Sequence, residues 1–182
     1  MEGVSIGSPS GGGTWQAGNL QRCPRSSAPL NHSHVSRQQV ISIVKDGDTT
    51  LAYILRHDHH GDGIEFFTPD DFSQQLAYMN RPSGYVIAPH VHNPVLRQVQ
   101  YTKEVLFIRS GRLRVDFYTE EQRYIESRIL EAGDIVLLAY GGHGFEMLEP
   151  TEIIEVKQGP YAGDADKTRF AGILASEAKV KA

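Results

Sequence analysis

The stretch GYVIAPHVHNPVLRQVQYTKEVLFIRSG, residues 84–111, holds His90 and His92 with one residue between them, then Glu104, then Gly111. In an extended strand successive side chains point to opposite faces, so His90 and His92 share a face. Two imidazoles on one face can converge on one ion. Glu104 opens the apolar run EVLFIRS, in which Leu106 and Ile108 take its face. A carboxylate on an inward face needs a cation or hydrogen bonds to offset its burial. His143, just after YGG, opens another strand-like run and can supply a third imidazole. Three neutral nitrogens and one carboxylate oxygen suit a single divalent ion such as Fe, Mn, Ni, Co or Zn. On a six-coordinate ion such a set leaves room for water or substrate. The plainer alternative is a pair of hydrogen-bonded strand histidines without a metal.

Further candidates flank this set. Arg97, Tyr101 and Lys103 lie on the connection between His92 and Glu104, and loops on a rigid scaffold often carry binding residues. Arg97 and Lys103 are candidates for gripping a substrate phosphate or carboxylate, Arg97 with two-pronged geometry. An ordinary polar loop is the alternative. Glu155 and Lys157 alternate with Val156 and share a face, toward a cavity or toward solvent. Glu104, Tyr101 and Lys157 are the candidate proton carriers. RHDHHGDG gathers His57, Asp58, His59 and His60, but this Gly- and Asp-rich composition between strands reads as a solvated turn. GGHGF leads into a strand and not a helix N-terminus, so it is not a phosphate cradle. Asp116 and Tyr118 read as surface strand residues, and Tyr161 as a cap. No Gly-x-Ser-x-Gly or Cys/His pair supports a nucleophilic hydrolase.

The elements that must position these residues are short strands. QVISIVKD and TLAYILRH flank the turn signal GDT, and GIEFFT, QQLAYMN, GYVIAPHVH, KEVLFIRS, RLRVDFY, ESRILEA, DIVLLA, HGFEML and EIIEVKQ follow. Turn residues separate nearly all of them, and no helical period is sustained, which predicts an all-β sandwich or barrel of jelly-roll type. The Gly-, Ser- and Pro-rich residues 1–37 cannot bury enough apolar surface to offset their ordering entropy. They read as a flexible tail, and His32 and His34 within it as solvated. Residues 38–162 form the expected barrel, and 163–182 a tail with room for a short helix.

Bulk properties narrow the partners. The 182 residues carry a formal charge of −4, which gives no reason to expect nucleic acid or an anionic membrane surface. No run approaches the roughly 18 apolar residues of a membrane span, and the N-terminus lacks the order of a secretory signal. Cys23 is the single cysteine, so no internal disulfide forms and a reducing cytoplasm is the expected location.

The residues around the histidines resemble the cupin superfamily. Five residues separate Gly84 from His90 and six separate Glu104 from Gly111, as in the first cupin motif. GDIVLLAYGGHGFEM resembles the second motif, with Gly133, Gly141 and His143 in family places. Ala139 stands where the motif has proline and Met147 where it has asparagine. Eleven residues separate His92 from Glu104, a longer gap than the family usually has, so NPVLRQVQYTK is expected to protrude as a loop. The resemblance covers about residues 40–160 and implies a cupin-type jelly-roll β-barrel. It matches His90, His92, Glu104 and His143 to the family's metal-ligand positions.

IIEVKQGPYAGDADKTRF is similar to the C-terminal part of small cupin metalloproteins found among bacterial surface-polysaccharide genes. That likeness implies a sugar or sugar-nucleotide ligand. Together with the ligand set it suggests a metal-dependent isomerase or epimerase. The alternatives are an Fe-dependent dioxygenase and a non-catalytic sugar-binding or sensor module. A homodimer is expected, because apolar residues stand on both strand faces, Val105 and Phe107 opposite Leu106 and Ile108.

Overall fold

A computed structural model describes residues 41–182. The expected tail, with Cys23, His32 and His34, lies outside the described residues. What is described is all-β. The strands are β1 (Ser42–Asp46), β2 (Thr49–Leu55), β3 (Gly63–Phe66), β4 (Ala77–Asn80), β5 (Glu104–Ser110) and β6 (Arg112–Tyr118). They continue with β7 (Tyr124–Glu131), β8 (Ile135–Leu138), β9 (Gly142–Met147), β10 (Glu152–Lys157) and β11 (Val180–Lys181). The short helix expected near the C-terminus takes the form of two 3₁₀ turns, Gly163–Asp166 and Ala175–Glu177. No helix among the described residues is long and apolar enough to cross a membrane.

The strands form three sheets. One has five strands in the order β1-β2-β8-β5-β10, one has four in the order β11-β7-β6-β9, and β3 pairs with β4 alone. All pairings are antiparallel except β11 with β7. The period-two pattern builds the core. Leu106 and Ile108 of β5, Ile54 of β2 and Val136 of β8 meet Leu113, Val115 and Phe117 of β6 and Leu130 of β7 in one buried cluster drawn from both large sheets. Glu104 stands on the same face of β5 as Leu106 and Ile108, as the alternation predicts, and all three are buried. Tyr53 and Leu137, on the opposite face of the five-stranded sheet, pack with Leu76 and with Phe67 and Phe72 of the β3–β4 region. With both faces covered, β2 is buried from Leu51 to Leu55.

One expected strand is absent. Residues 84–92 belong to no sheet, and every residue from 81 to 102 is exposed. A strand is stable only where a neighbour satisfies its N–H and C=O groups. Among the described residues, the sole backbone–backbone bond within 84–102 is from the Tyr85 N–H to the Pro82 carbonyl, at 3.2 Å. The segment is thus a long arm, anchored where β4 ends and where β5 begins.

The turn that delivers His143 depends on one glycine. Gly141 has φ +73°, in the left-handed region, and a Cβ there would run into the Tyr118 carbonyl oxygen. Alanine is strained in this conformation and has no room. Gly141→Ala should therefore lower the unfolding free energy by about 1–3 kcal/mol, read as a lower urea midpoint at unchanged slope. An unchanged midpoint would mean that the β8–β9 turn relaxes freely.

Candidate functional site

Glu104 opens β5 in the five-stranded sheet, and His143 is the second residue of β9 in the four-stranded sheet. Their side chains meet between the sheets, with His143 Nε2 3.1 Å from Glu104 Oε2. The cross-strand neighbour of Glu104 on β10 is Lys157, whose Nζ lies 4.0 Å from Oε1. The hydrogen bond with His143 lowers the Glu104 pKa below the ordinary carboxylate value. Burial pushes the other way, and the charges of His143 and Lys157 add to the lowering. Glu104 is therefore held as a carboxylate although its side chain is only 11% exposed.

Glu104 and His143 line a cavity of about 630 Å³. Tyr101 and Tyr140 form part of its wall, with ring centroids 5.1 Å apart in an edge-to-face contact. Both phenols donate to Glu120, which joins them from the β6–β7 turn. The Tyr101 hydroxyl lies 3.3 Å from Oε1, and Tyr140 reaches Oε2. The Glu120 carboxylate raises the Tyr140 pKa, so this phenol stays protonated and acts as a donor.

The mouth is built from the C-terminal segment, through Asp166, Lys167, Arg169 and Phe170. Three contacts hold that segment in place. The Thr102 hydroxyl donates to Asp166 at 2.8 Å, the Ile173 N–H donates to the Tyr118 hydroxyl at 3.1 Å, and Phe170 packs edge-on against Tyr118 at 5.0 Å. Tyr118 is consequently buried at 3% exposure, and Asp116 at 6%. Both were expected on the surface, but C-terminal residues and charged neighbours cover this sheet face. Asp116, for example, accepts two bonds from the buried Arg114 at 2.7 and 3.0 Å.

The remaining expected site residues divide. Tyr101 lines the cavity as expected. Lys157 has its pKa raised by hydrogen bonding to Glu155, 3.4 Å away, so it is held as an ammonium. That favours an electrostatic role beside Glu104 over the role of base. Lys103 does not line the cavity. Its Nζ donates to Ser73 at 3.0 Å and lies over the Phe72 ring, because the residue next to Glu104 on an extended chain points the other way. Arg97 is exposed on the arm, away from the cavity lining.

His90 and His92 sit on the same arm. Their rings are 5.3 Å apart and edge-on, and His90 Nδ1 lies 3.0 Å from the Ala88 carbonyl. Glu104 and His143 are thus brought together, and the two arm histidines are not among the cavity residues. Among the described residues no three or more His, Cys, Asp or Glu side chains are grouped to hold a metal ion. In the 57–60 loop His57, Asp58 and His60 are exposed, as a solvated turn requires. His59 departs from that, its side chain 6% exposed and packed against Phe67 and Tyr78, and the His57 N–H donates to Asp134 at 2.9 Å.

Glu120 and Tyr140 are not among the sequence candidates, although Tyr140 stands beside the glycines that turn the chain toward His143. Lys167, Arg169 and Phe170 fall within IIEVKQGPYAGDADKTRF, whose likeness assigns them no individual role. No family model, curated protein or solved structure matches the chain.

The Glu104–His143 pair has a pH signature. The folded-state pKa of Glu104 lies below its unfolded value, so its stabilisation is fully present above the unfolded value and is lost as pH falls through the folded one. Urea unfolding of the natural chain and Glu104→Gln should therefore show a stability gap at neutral pH. The gap should close on acidification below about pH 4.5, the ordinary glutamate value. A gap independent of pH would remove the charge pairing as its source.

Proposed function

We propose that this chain is a small-molecule enzyme of cupin jelly-roll type that moves a proton on a sugar-derived substrate, as an isomerase or epimerase. The observation that carries the proposal is the Glu104–His143 pair on a cavity of about 630 Å³ that also presents two tyrosine hydroxyls. That volume falls in the range of small-ligand sites. Glu104 is ionised and so able to accept a proton, although its lowered pKa leaves it a weaker base than an ordinary carboxylate. Glu104 removes a proton from carbon beside a carbonyl, and the C–H electron pair moves onto the carbonyl oxygen. The Tyr140 phenol, whose single proton goes to Glu120 in the structure, stabilises that developing charge once its hydroxyl turns from Glu120 to the substrate oxygen. Return of the proton to the former carbonyl carbon, with the adjacent hydroxyl proton passing to the first oxygen, isomerises the sugar, and return to the opposite face of the original carbon epimerises it. Lys167 and Arg169 at the mouth offer positive charge to a phosphate, which suits a sugar nucleotide.

The cupin resemblance further implies one divalent transition metal on His90, His92, Glu104 and His143. The steps above use protein groups, and an ion held by those residues would act beside them as a Lewis acid on the substrate oxygen. A sensor module using the same cavity would bind without turnover.

The test is solvent-deuterium incorporation into a panel of keto-sugar nucleotides, followed by NMR. Exchange should occur with at least one member, and Glu104→Gln should slow it by about 10²–10⁴-fold. Tyr140→Phe should slow it with little change in binding. Binding without exchange would turn the reading toward a sensor. Exchange unaffected by Glu104→Gln would remove Glu104 as the base.

A further inference from the structure

The turn between β6 and β7 holds strain that its own closure does not use. It runs Thr119, Glu120, Glu121, Gln122, Arg123. The Thr119 N–H donates to the Arg123 carbonyl at 2.9 Å, and the Gln122 N–H to the Thr119 carbonyl at 3.0 Å. The Arg123 N–H donates to the Thr119 hydroxyl at 3.3 Å, and the Arg123 guanidinium pins the turn to Asp46 of β1 at 2.8 and 2.9 Å. Gln122 supplies only its backbone to this scheme. Its φ is nevertheless +65°, and among the described residues it is the one non-glycine with a positive φ. A three-residue hairpin loop commonly ends on a left-handed residue, a place that glycine fills without steric penalty. Glutamine there costs the fold energy, and residues held in such conformations cluster at ligand sites.

Gln122 also lies on the wall of the cavity, with Glu120 of the same turn. The two side chains differ in what they offer. Each Glu120 oxygen takes one tyrosine proton, from Tyr101 on Oε1 and from Tyr140 on Oε2, which leaves a second lone pair on each. The Gln122 amide both donates and accepts. A carboxylate beside an amide fits neighbouring hydroxyls, since each hydroxyl donates to an oxygen while accepting from an N–H. The aromatic faces of the same wall suit the C–H side of a sugar ring. A phosphate finds separate partners in Lys167 and Arg169, on the C-terminal segment.

We propose that the β6–β7 turn is the sugar-reading edge of the cavity. The Gln122 amide and the spare lone pairs of Glu120 bind neighbouring hydroxyls of the sugar, and the strained conformation of Gln122 is the cost of placing that amide on the wall. The inference rests on the reading of the cavity as a sugar-nucleotide site. It requires only that the sugar binds there, not that a proton moves.

The experiment compares Gln122→Gly with the natural chain by urea unfolding and by titration calorimetry. The probes are the tightest-binding keto-sugar nucleotide of the panel and the same nucleoside diphosphate without its sugar. Gln122→Gly should raise the urea midpoint at unchanged slope, because the left-handed strain is relieved. It should also weaken the sugar nucleotide by about 3–10-fold, the worth of one hydrogen bond, and leave the nucleoside diphosphate unchanged. Stability gained with sugar affinity lost is a pairing that a purely structural role does not produce. A midpoint that stays or falls would overturn the proposal, as would equal weakening of both probes or of neither. Binding of the sugar nucleotide with the expected Gln122→Gly loss, but without deuterium exchange, would support it and remove the enzymatic reading alone. A natural chain that binds no member of the panel would sink both.

Discussion

A carboxylate at the end of a core-facing row must find charge or hydrogen bonds inside the protein, because water reaches it poorly. Glu104 meets that requirement across the gap between two sheets. It stands in line with Leu106 and Ile108 on one sheet and reaches His143 on the other. The pair therefore bridges the layers at the point where hydrocarbon packing gives way to the cavity. Much else follows from it: the turn at Gly141 that aims β9, the ammonium of Lys157 on the neighbouring strand, and the tyrosines that line the adjoining space. Removing one partner would leave the other charge or donor half-buried and poorly matched.

The sequence was most informative where alternation and burial act together. EVLFIRS reads as a strand because every second side chain is apolar, and the same count puts Glu104 inward. RLRVDFY, ESRILEA, HGFEML and EIIEVKQ likewise became strands near the expected positions. Residues 84–92 share that appearance and form no strand. Side-chain pattern reports what a segment can do once paired, and says nothing about whether an edge lies within reach. The cavity wall was obscure for a related reason. Glu120 and Arg169 are ordinary turn and tail residues until the fold folds their segments over the same hollow. Lys103 illustrates the converse. Its neighbour Glu104 looks inward, so its own side chain turns to Ser73 and Phe72.

The C-terminal residues act as structure although they contain little regular structure. They run across the outer face of the four-stranded sheet, held by the Tyr118 hydroxyl at Ile173 and by the Tyr124 hydroxyl, which accepts the Lys179 N–H at 2.7 Å. Charged groups beneath them are matched, with Arg114 between Asp116 and Glu146, and Arg128 beside Glu126. This buried polar layer converts a sheet face that would otherwise be wet into a floor for the segment that frames the cavity mouth.

The final strand, β11, has a further effect. It lies parallel to β7 at the far side of the four-stranded sheet and is only two residues long. So brief a border offers a poor template for another chain, whereas the opposite border along β9 is long enough to accept one. Growth through this sheet can then proceed from one side alone.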